Sequence, residues 1–122
     1  MDYLTTLKLN KEFKRVYYNA AYKTHPAVVT YLLKNKYSPG RYGITTSKKI
    51  GNAVQRNRSK RIITAALTTV EKEFNFKNYD IVFVARKDTP AANSNLLTSV
   101  IRQHIKNLLK IINNKEKIIK KK

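Results

Sequence analysis

The segment from residue 47 to residue 66 concentrates side chains that bind phosphate. Its sequence is Ser-Lys-Lys-Ile-Gly-Asn-Ala-Val-Gln-Arg-Asn-Arg-Ser-Lys-Arg-Ile-Ile-Thr-Ala-Ala, which contains Lys and Arg but no acidic residue. The planar guanidinium of Arg binds a phosphate through two parallel hydrogen bonds, and Lys adds a compact point charge. Asn57 can hydrogen-bond to a base edge, a ribose hydroxyl or a hydrated ion. This composition indicates a surface for a phosphate-bearing ligand.

A helix is expected to hold these groups in place. The spacing predicts a helix from about residue 53 to 74, with Asn52 as its N-cap. The apolar side chains occupy an arc of roughly 140°, and a polar arc of roughly 100° lies beside it. The apolar arc contains Ile62, Ile63, Ala66, Leu67, Val70 and Phe74, and the polar arc contains Asn57, Lys60, Arg61 and Thr64.

A solvated basic face is the simpler interpretation of that helix. However, no Asp or Glu occurs between Glu12 and Glu71, whereas surface helices usually mix charges of both signs. A polyanionic partner would explain the missing charge. The Gly51-Asn52 start of the helix, beside Lys48 and Lys49, is also expected to offer free backbone N–H groups to an anion.

Composition limits the classes of function. The chain has 122 residues, a formal charge of +19 and no Cys. Such a length corresponds to one domain, and such a charge implies an anionic partner, either nucleic acid or an anionic membrane. No apolar run approaches the roughly 20 residues of a membrane span, and no secretory signal is apparent. We therefore expect a soluble cytoplasmic protein.

The residues of catalytic and metal sites are scarce. The chain has two His and seven acidic residues, with no nucleophile–base pair in any motif and no paired-carboxylate pattern. His25 precedes a proline in a loop, and His104 lies on an apolar helix stripe. We therefore predict no catalytic residue and no metal site within this chain.

The remaining pattern predicts an α+β fold with a sheet of about four strands. In the first helix, Phe13, Val16 and Tyr17 form a stripe that either belongs to the core or stacks on unpaired bases. Gly43 suggests a bulge or a close backbone approach. The expected elements are a helix at 10–19 capped by Asn10, a short strand near Tyr22, strands at 27–33 and 41–47 joined as a hairpin, a strand at 79–86, a helix from Asn93 or Ser94 to about Ile112, and a frayed basic tail at 114–122 after a domain at 1–113.

The string from Ser47 to Arg61 resembles the Arg-Asn-Arg motif of the protein subunit of bacterial ribonuclease P. Phe-x-x-Val-Tyr at 13–17 and the segment 80–87, which ends in Ala-Arg-Lys, also match that family. The resemblance implies a subunit of the holoenzyme that removes the 5′ leader of precursor tRNA. It implies that the ribonuclease P RNA performs the hydrolysis with Mg²⁺, that the partners are this RNA and precursor tRNA, and that no membrane or protein partner is required.

The resemblance also implies an αβββαβα order with a left-handed strand–helix–strand crossover, and it assigns roles to residues. It implies that the first helix and the sheet form a cleft for the single-stranded leader. Thr64 stands where the family commonly has Arg, so one cleft charge is missing. The leader residues would be Phe13, Tyr17, Tyr31 and Lys48; the residues facing the RNA subunit would be Lys49, Asn52, Arg56, Asn57, Arg58, Lys60 and Arg61; Arg86 and Lys87 would add phosphate contacts.

Three other classes of function fit parts of the sequence. A small ribosomal protein is the main alternative, because it is equally basic and noncatalytic. A DNA-binding regulator would use the central helix in a major groove, but strands, not a short helix, precede it. A binder of anionic membranes would need an exposed apolar helix face, and the last helix is expected to belong to the core.

Overall fold

The computed structural model describes residues 4–36 and 39–120, with side chains as far as residue 114. These residues form one five-stranded sheet and three helices. Short 3-10 turns occur at Lys48–Ile50 and Thr89–Ala91. The strands are β1 (Leu4–Thr6), β2 (Ala21–His25), β3 (Val28–Lys34), β4 (Gly40–Thr45) and β5 (Tyr79–Ala85); the helices are α1 (Asn10–Asn19), α2 (Ala53–Val70) and α3 (Ser94–Lys120).

The sheet order is β1-β4-β5-β3-β2. β4 is parallel to β1 and β5, whereas β3 is antiparallel to β5 and β2. The predicted hairpin between the strands at 27–33 and 41–47 is therefore wrong, because β5 lies between them. The sequence of β5 is almost continuously apolar because β5 is the central strand and both of its faces are buried. The hand of the β4–α2–β5 crossover stays a prediction.

The two faces of the sheet are covered unequally. Alternate strand residues such as Leu32, Ile81 and Phe83 point into the main core, which α2 and α3 close. On the other face, Val82 packs with Leu7 and Val16 in a smaller cluster under α1. Since α1 has only ten residues, it covers this face incompletely and leaves a cleft beside it.

Several element boundaries differ from those expected. α1 is capped at Leu9, not Asn10, and the Glu12 carboxylate accepts hydrogen bonds from the Lys8 and Leu9 N–H groups at 2.9 and 2.8 Å. α2 ends at Val70, before the end expected at about residue 74. Phe74 still packs against the core, but it does so from the segment that follows the helix. α3 continues to Lys120, through most of the segment expected to be frayed; no Gly or Pro interrupts it.

The two edge strands of the sheet, β1 and β2, were predicted unequally well. The strand expected near Tyr22 is present as β2. β1 is absent from the predicted elements, and its presence gives the sheet five strands where about four were expected. It has three residues, of which only Leu4 is buried, so its pattern is too short to be recognised as period two.

Candidate nucleic-acid interface

The start of α2 is fixed by its own side chains. Asn52 Oδ1 accepts from the Gln55 N–H at 3.0 Å, and Gln55 Oε1 accepts from the Asn52 N–H at 3.3 Å, which forms a capping box. Gly51 has φ 142°, and its N–H donates to the Lys48 carbonyl at 3.2 Å. The expected free N–H groups at Gly51 and Asn52 are therefore already bonded, and that part of the prediction is wrong.

Most cations of α2 are exposed. Ser59, Ile63, Ala66 and Leu67 are buried against the sheet and α3. We call the exposed residues Arg58, Lys60 and Arg61 the α2 cation surface. No hydrogen bond or ion pair of these three side chains is present within the described part of the chain. Lys48, Lys49, Asn52 and Asn57 are also exposed.

Arg56 differs from its neighbours. It is half-buried, and its guanidinium donates to the Gly51 carbonyl at 3.2 Å. The bond ties the side chain back to the segment before the helix. One edge of the guanidinium is therefore committed to the protein, and the remaining N–H groups are those that can meet an external anion.

Three acidic side chains, Asp80, Glu12 and Glu73, are paired with arginines outside α2. Asp80 is fully buried and accepts from Arg41 Nε and Nη2 at 2.9 Å and from Arg15 at 3.2 Å. Glu12 accepts from Arg41 at 2.6 Å. We call these four residues the Asp80 network. A further pair joins Glu73 and Arg102 at 2.7 Å.

An aromatic cleft lies between α1 and the sheet, and we define it by Phe13, Tyr17 and Tyr31. The ring centroids of Tyr17 and Tyr31 are 5.2 Å apart in an edge-on arrangement, and those of Phe13 and Tyr17 are 6.5 Å apart. The hydroxyl groups of Tyr17 and Thr45 are 2.6 Å apart. Gly43 makes the cleft possible, since a Cβ atom there would lie 2.5 Å from the Phe13 ring. The predicted close approach at Gly43 is confirmed.

Lys60 joins the aromatic cleft to the α2 cation surface. It lines a cavity of about 410 Å³ together with Phe13, Tyr17 and Thr45, and a neighbouring cavity of about 260 Å³ together with Thr64. Lys14 also lines the larger cavity. Neither Lys48 nor Tyr31, both expected to contact the leader, is among the residues that line either cavity, whereas Lys60 lines both. The leader roles of Lys48 and Tyr31 stay predictions.

The phenol group of Tyr31 carries no charge at neutral pH. Burial, with smaller contributions from neighbouring Tyr17 and Tyr22, raises the pKa of Tyr31 above its ordinary value. A neutral phenol does not repel a phosphate backbone. The cleft therefore combines apolar ring faces with a cationic rim, which suits unpaired nucleotides.

Arg86 and Lys87 directly follow β5 and are exposed. The Arg86 guanidinium donates to the His25 carbonyl at 3.5 Å, so it reaches the end of β2. Arg86 and Lys87 thus lie at the carboxyl end of β5, which is also the end of the sheet from which the parallel strand β4 leads toward α2.

Sequence reasoning missed two residues at this interface. Lys14 lines the cleft, and Tyr22 contacts the Tyr31 ring with centroids 5.5 Å apart. The helical spacing of Lys14 beside Phe13 and Tyr17 was available as a signal. For Tyr22 the signal lay in the two-residue turn at 26–27, which places Tyr22 opposite Tyr31.

Two further features concern metal and membrane. Within residues 4–36 and 39–120, no group of three or more His, Asp or Glu side chains is arranged to hold a metal ion. None of the helices in the same ranges is long and apolar enough to cross a bilayer.

Comparisons with known proteins agree with the resemblance found in the sequence. The family described as Ribonuclease P matches residues 1–113. The ribonuclease P protein component of Clostridioides difficile (strain 630) is 38% identical over 112 residues, which are 90% of this chain and 95% of that protein. The corresponding protein of Caldanaerobacter subterraneus subsp. tengcongensis is 37% identical over 103 residues, which are 84% and 88% of the two chains.

Solved structures show the same architecture. The RNase P protein of Staphylococcus aureus superposes with a TM-score of 0.68 at 28% identity, covering 92% of this chain and 96% of that one. The RNase P protein of Thermotoga maritima gives 0.65 at 26% identity, covering 86% and 94%. These matches favour the ribonuclease P interpretation over the ribosomal alternative. The chain belongs to the family of ribonuclease P protein components.

Proposed function

We propose that the chain binds two RNA elements at once: the ribonuclease P RNA through the α2 cation surface, and the single-stranded 5′ leader of precursor tRNA through the aromatic cleft. The observation that carries this proposal is the position of Lys60, which belongs to both surfaces. A leader in the cleft would then lie directly beside the RNA subunit. Lys49, Asn57 and Arg56 extend the surface proposed for that subunit.

The chemistry on each surface fits its proposed ligand. Exposed cations without internal carboxylate partners attract phosphates, and their fixed spacing on a helix favours a folded RNA over a flexible one. Aromatic faces accept any base, which suits a leader whose sequence varies among precursors. The proposed role is therefore to bind and to position RNA.

Hydrolysis is assigned in this proposal to the RNA subunit. Mg²⁺ would be held by the RNA and its substrate, since the described side chains of this protein offer no carboxylate cluster for it. No additional protein partner is needed for this arrangement, and a cytoplasmic location stays a prediction.

The direct test is cleavage of precursor tRNA by a bacterial ribonuclease P RNA at low Mg²⁺, with and without this chain. We expect faster cleavage with the chain, because its cations reduce repulsion between substrate and RNA subunit. An unchanged rate at saturating protein would contradict the proposal.

The cleft is tested separately by Tyr31→Ala. Losing one stacking face should weaken binding of leader-bearing precursor by about tenfold and leave binding of mature tRNA unchanged. Tyr18→Ala is the matched control, because Tyr18 is also on α1 but is 85% exposed and makes no ring contact within the described residues. Equal losses for precursor and mature tRNA would remove the leader assignment.

A further inference from the structure

Tyr22 extends the aromatic row of the cleft to the edge of the sheet. It lies on β2, directly opposite Tyr31 in the antiparallel register, so the two side chains share one face of the sheet. Their ring centroids are 5.5 Å apart with an interplanar angle of 33°. Together with Tyr17 and Phe13, these rings form a continuous row from α1 to the outermost strand.

The exposure of Tyr22 separates it from the core. Its side chain is 58% exposed, and it does not belong to the cluster that α1 buries, which includes Tyr31. A tyrosine left open on an edge strand contributes little to burial. Its exposed ring instead continues the apolar surface that begins in the cleft.

A cation marks the same edge of the sheet. Arg86 donates to the carbonyl of His25, three residues after Tyr22 on β2, and its side chain is exposed. Tyr22 and His25 are about 10 Å apart along β2 at about 3.3 Å per strand residue, so a single strand that crosses Tyr22 would bring a phosphate of the same or the next nucleotide toward this guanidinium. Ring and cation together have the composition of a single-strand binding subsite.

We propose that Tyr22 forms an additional stacking subsite for one unpaired nucleotide of the leader, beyond the subsites of the aromatic cleft. The inference rests on the proposed function of the cleft. Because the rings of Tyr22 and Tyr31 already touch, the base stacks on the open face of Tyr22 and does not insert between them. The subsite makes affinity depend on leader length, since a short leader fills the cleft and never reaches β2.

The test uses the holoenzyme assembled from this chain and a bacterial ribonuclease P RNA. Precursor tRNAs with leaders lengthened one nucleotide at a time are bound to the wild-type, Tyr22→Ala, Tyr22→Phe, Tyr31→Ala and Tyr18→Ala holoenzymes. For the wild type we expect a step in affinity when the leader reaches β2. Tyr22→Ala should remove that step, a loss of about fivefold to tenfold, and Tyr22→Phe should keep it because the ring face remains.

A second arm locates the nucleotide. In a long leader, an abasic residue is placed at each position in turn, and its effect is compared between wild type and Tyr22→Ala. One position should lose affinity in the wild type and not in the variant, because the missing base and the missing ring belong to the same contact. The thermal midpoint of Tyr22→Ala should remain close to that of the wild type.

The variants distinguish the two proposals. If Tyr31→Ala weakens precursor binding at every leader length while Tyr22→Ala behaves like Tyr18→Ala, the cleft stands and the Tyr22 subsite is wrong. If Tyr31→Ala has no effect at any length, the leader function of the cleft fails. A loss in Tyr22→Ala that is equal for the shortest and longest leaders would also overturn the subsite.

Discussion

The arginines of this protein occupy two contrasting environments. In the Asp80 network, Arg41 and Arg15 surround a buried carboxylate and join α1, β4 and β5. On the α2 cation surface, Arg58 and Arg61 are exposed and have no carboxylate partner within the described part of the chain. The first group binds the protein to itself. The second leaves its charge available to another molecule.

The largest expected effect comes from breaking the paired group. Asp80→Ala would leave Arg41 beside an empty, buried position, and removing one partner of a buried ion pair costs about 3–5 kcal/mol. The free energy of unfolding, measured by urea denaturation, should fall by this amount. Arg58→Ala is the matched control and should change it by no more than about 0.5 kcal/mol, as for other exposed sites. Similar losses in both variants would erase the distinction.

A smaller effect is expected at Glu12, which links the Asp80 network to the start of α1. Hydrogen bonds from the Leu9 and Lys8 N–H groups lower the pKa of Glu12 below its ordinary value of 4.5, with a lesser contribution from Arg41. A lowered pKa in the folded state gives stability that is present above about pH 4.5 and is lost as the pH falls through the folded value.

Glu12→Gln tests this contribution. The variant should be less stable by about 1 kcal/mol at neutral pH, and its stability should fall less than that of the wild type between about pH 5 and pH 3. Asp88→Asn serves as control, because Asp88 is exposed and makes no ion pair within the described residues. Parallel stability curves for wild type and Glu12→Gln would contradict the assignment.

The smallest expected effect comes from adding an unpaired cation at Thr64. Thr64 lines the cavity next to Lys60, and the resemblance to the ribonuclease P family led us to expect Arg at this position. Thr64→Arg should add one unpaired cation to the cleft and raise the affinity for leader-bearing precursor severalfold. Thr64→Gln, of similar length but neutral, should not. Equal behaviour of the two variants would show that the added charge does not meet the leader.

The local features of this fold could be predicted from the sequence. The apolar stripes of α2 and α3, the central strand β5 and the cap at Asn52 follow from residue spacing over a few turns. The position of β5 between β3 and β4 could not be predicted from residue spacing, because this strand pairing joins segments that are far apart in the chain. The three residues of β1 were too few to show a period.

The candidate site divides in the same way. The α2 cation surface lies within one helix, so its residues were recognised together from the sequence. The cleft depends on α1, β3, β4 and α2, and Lys60 lines its cavities whereas Lys48 does not. The leader role of Lys48 stays a prediction. The pairing of Tyr22 with Tyr31 follows from the two-residue turn between His25 and Val28, which sets the register of β2 and β3. The expected strand near Tyr22 was given no such turn and therefore no register.

The salt dependence of binding to ribonuclease P RNA tests the central claim most directly. Each cation that neutralises a phosphate should contribute about −0.7 to −0.9 to the slope of log affinity against log salt concentration, and the magnitude of this slope is compared between variants. Replacing Arg58, Lys60 and Arg61 together by Ala should therefore reduce the slope by about 2–3, whereas Arg102→Ala, which removes an arginine paired with Glu73, should leave it nearly unchanged. An unchanged slope in the triple variant would contradict the account.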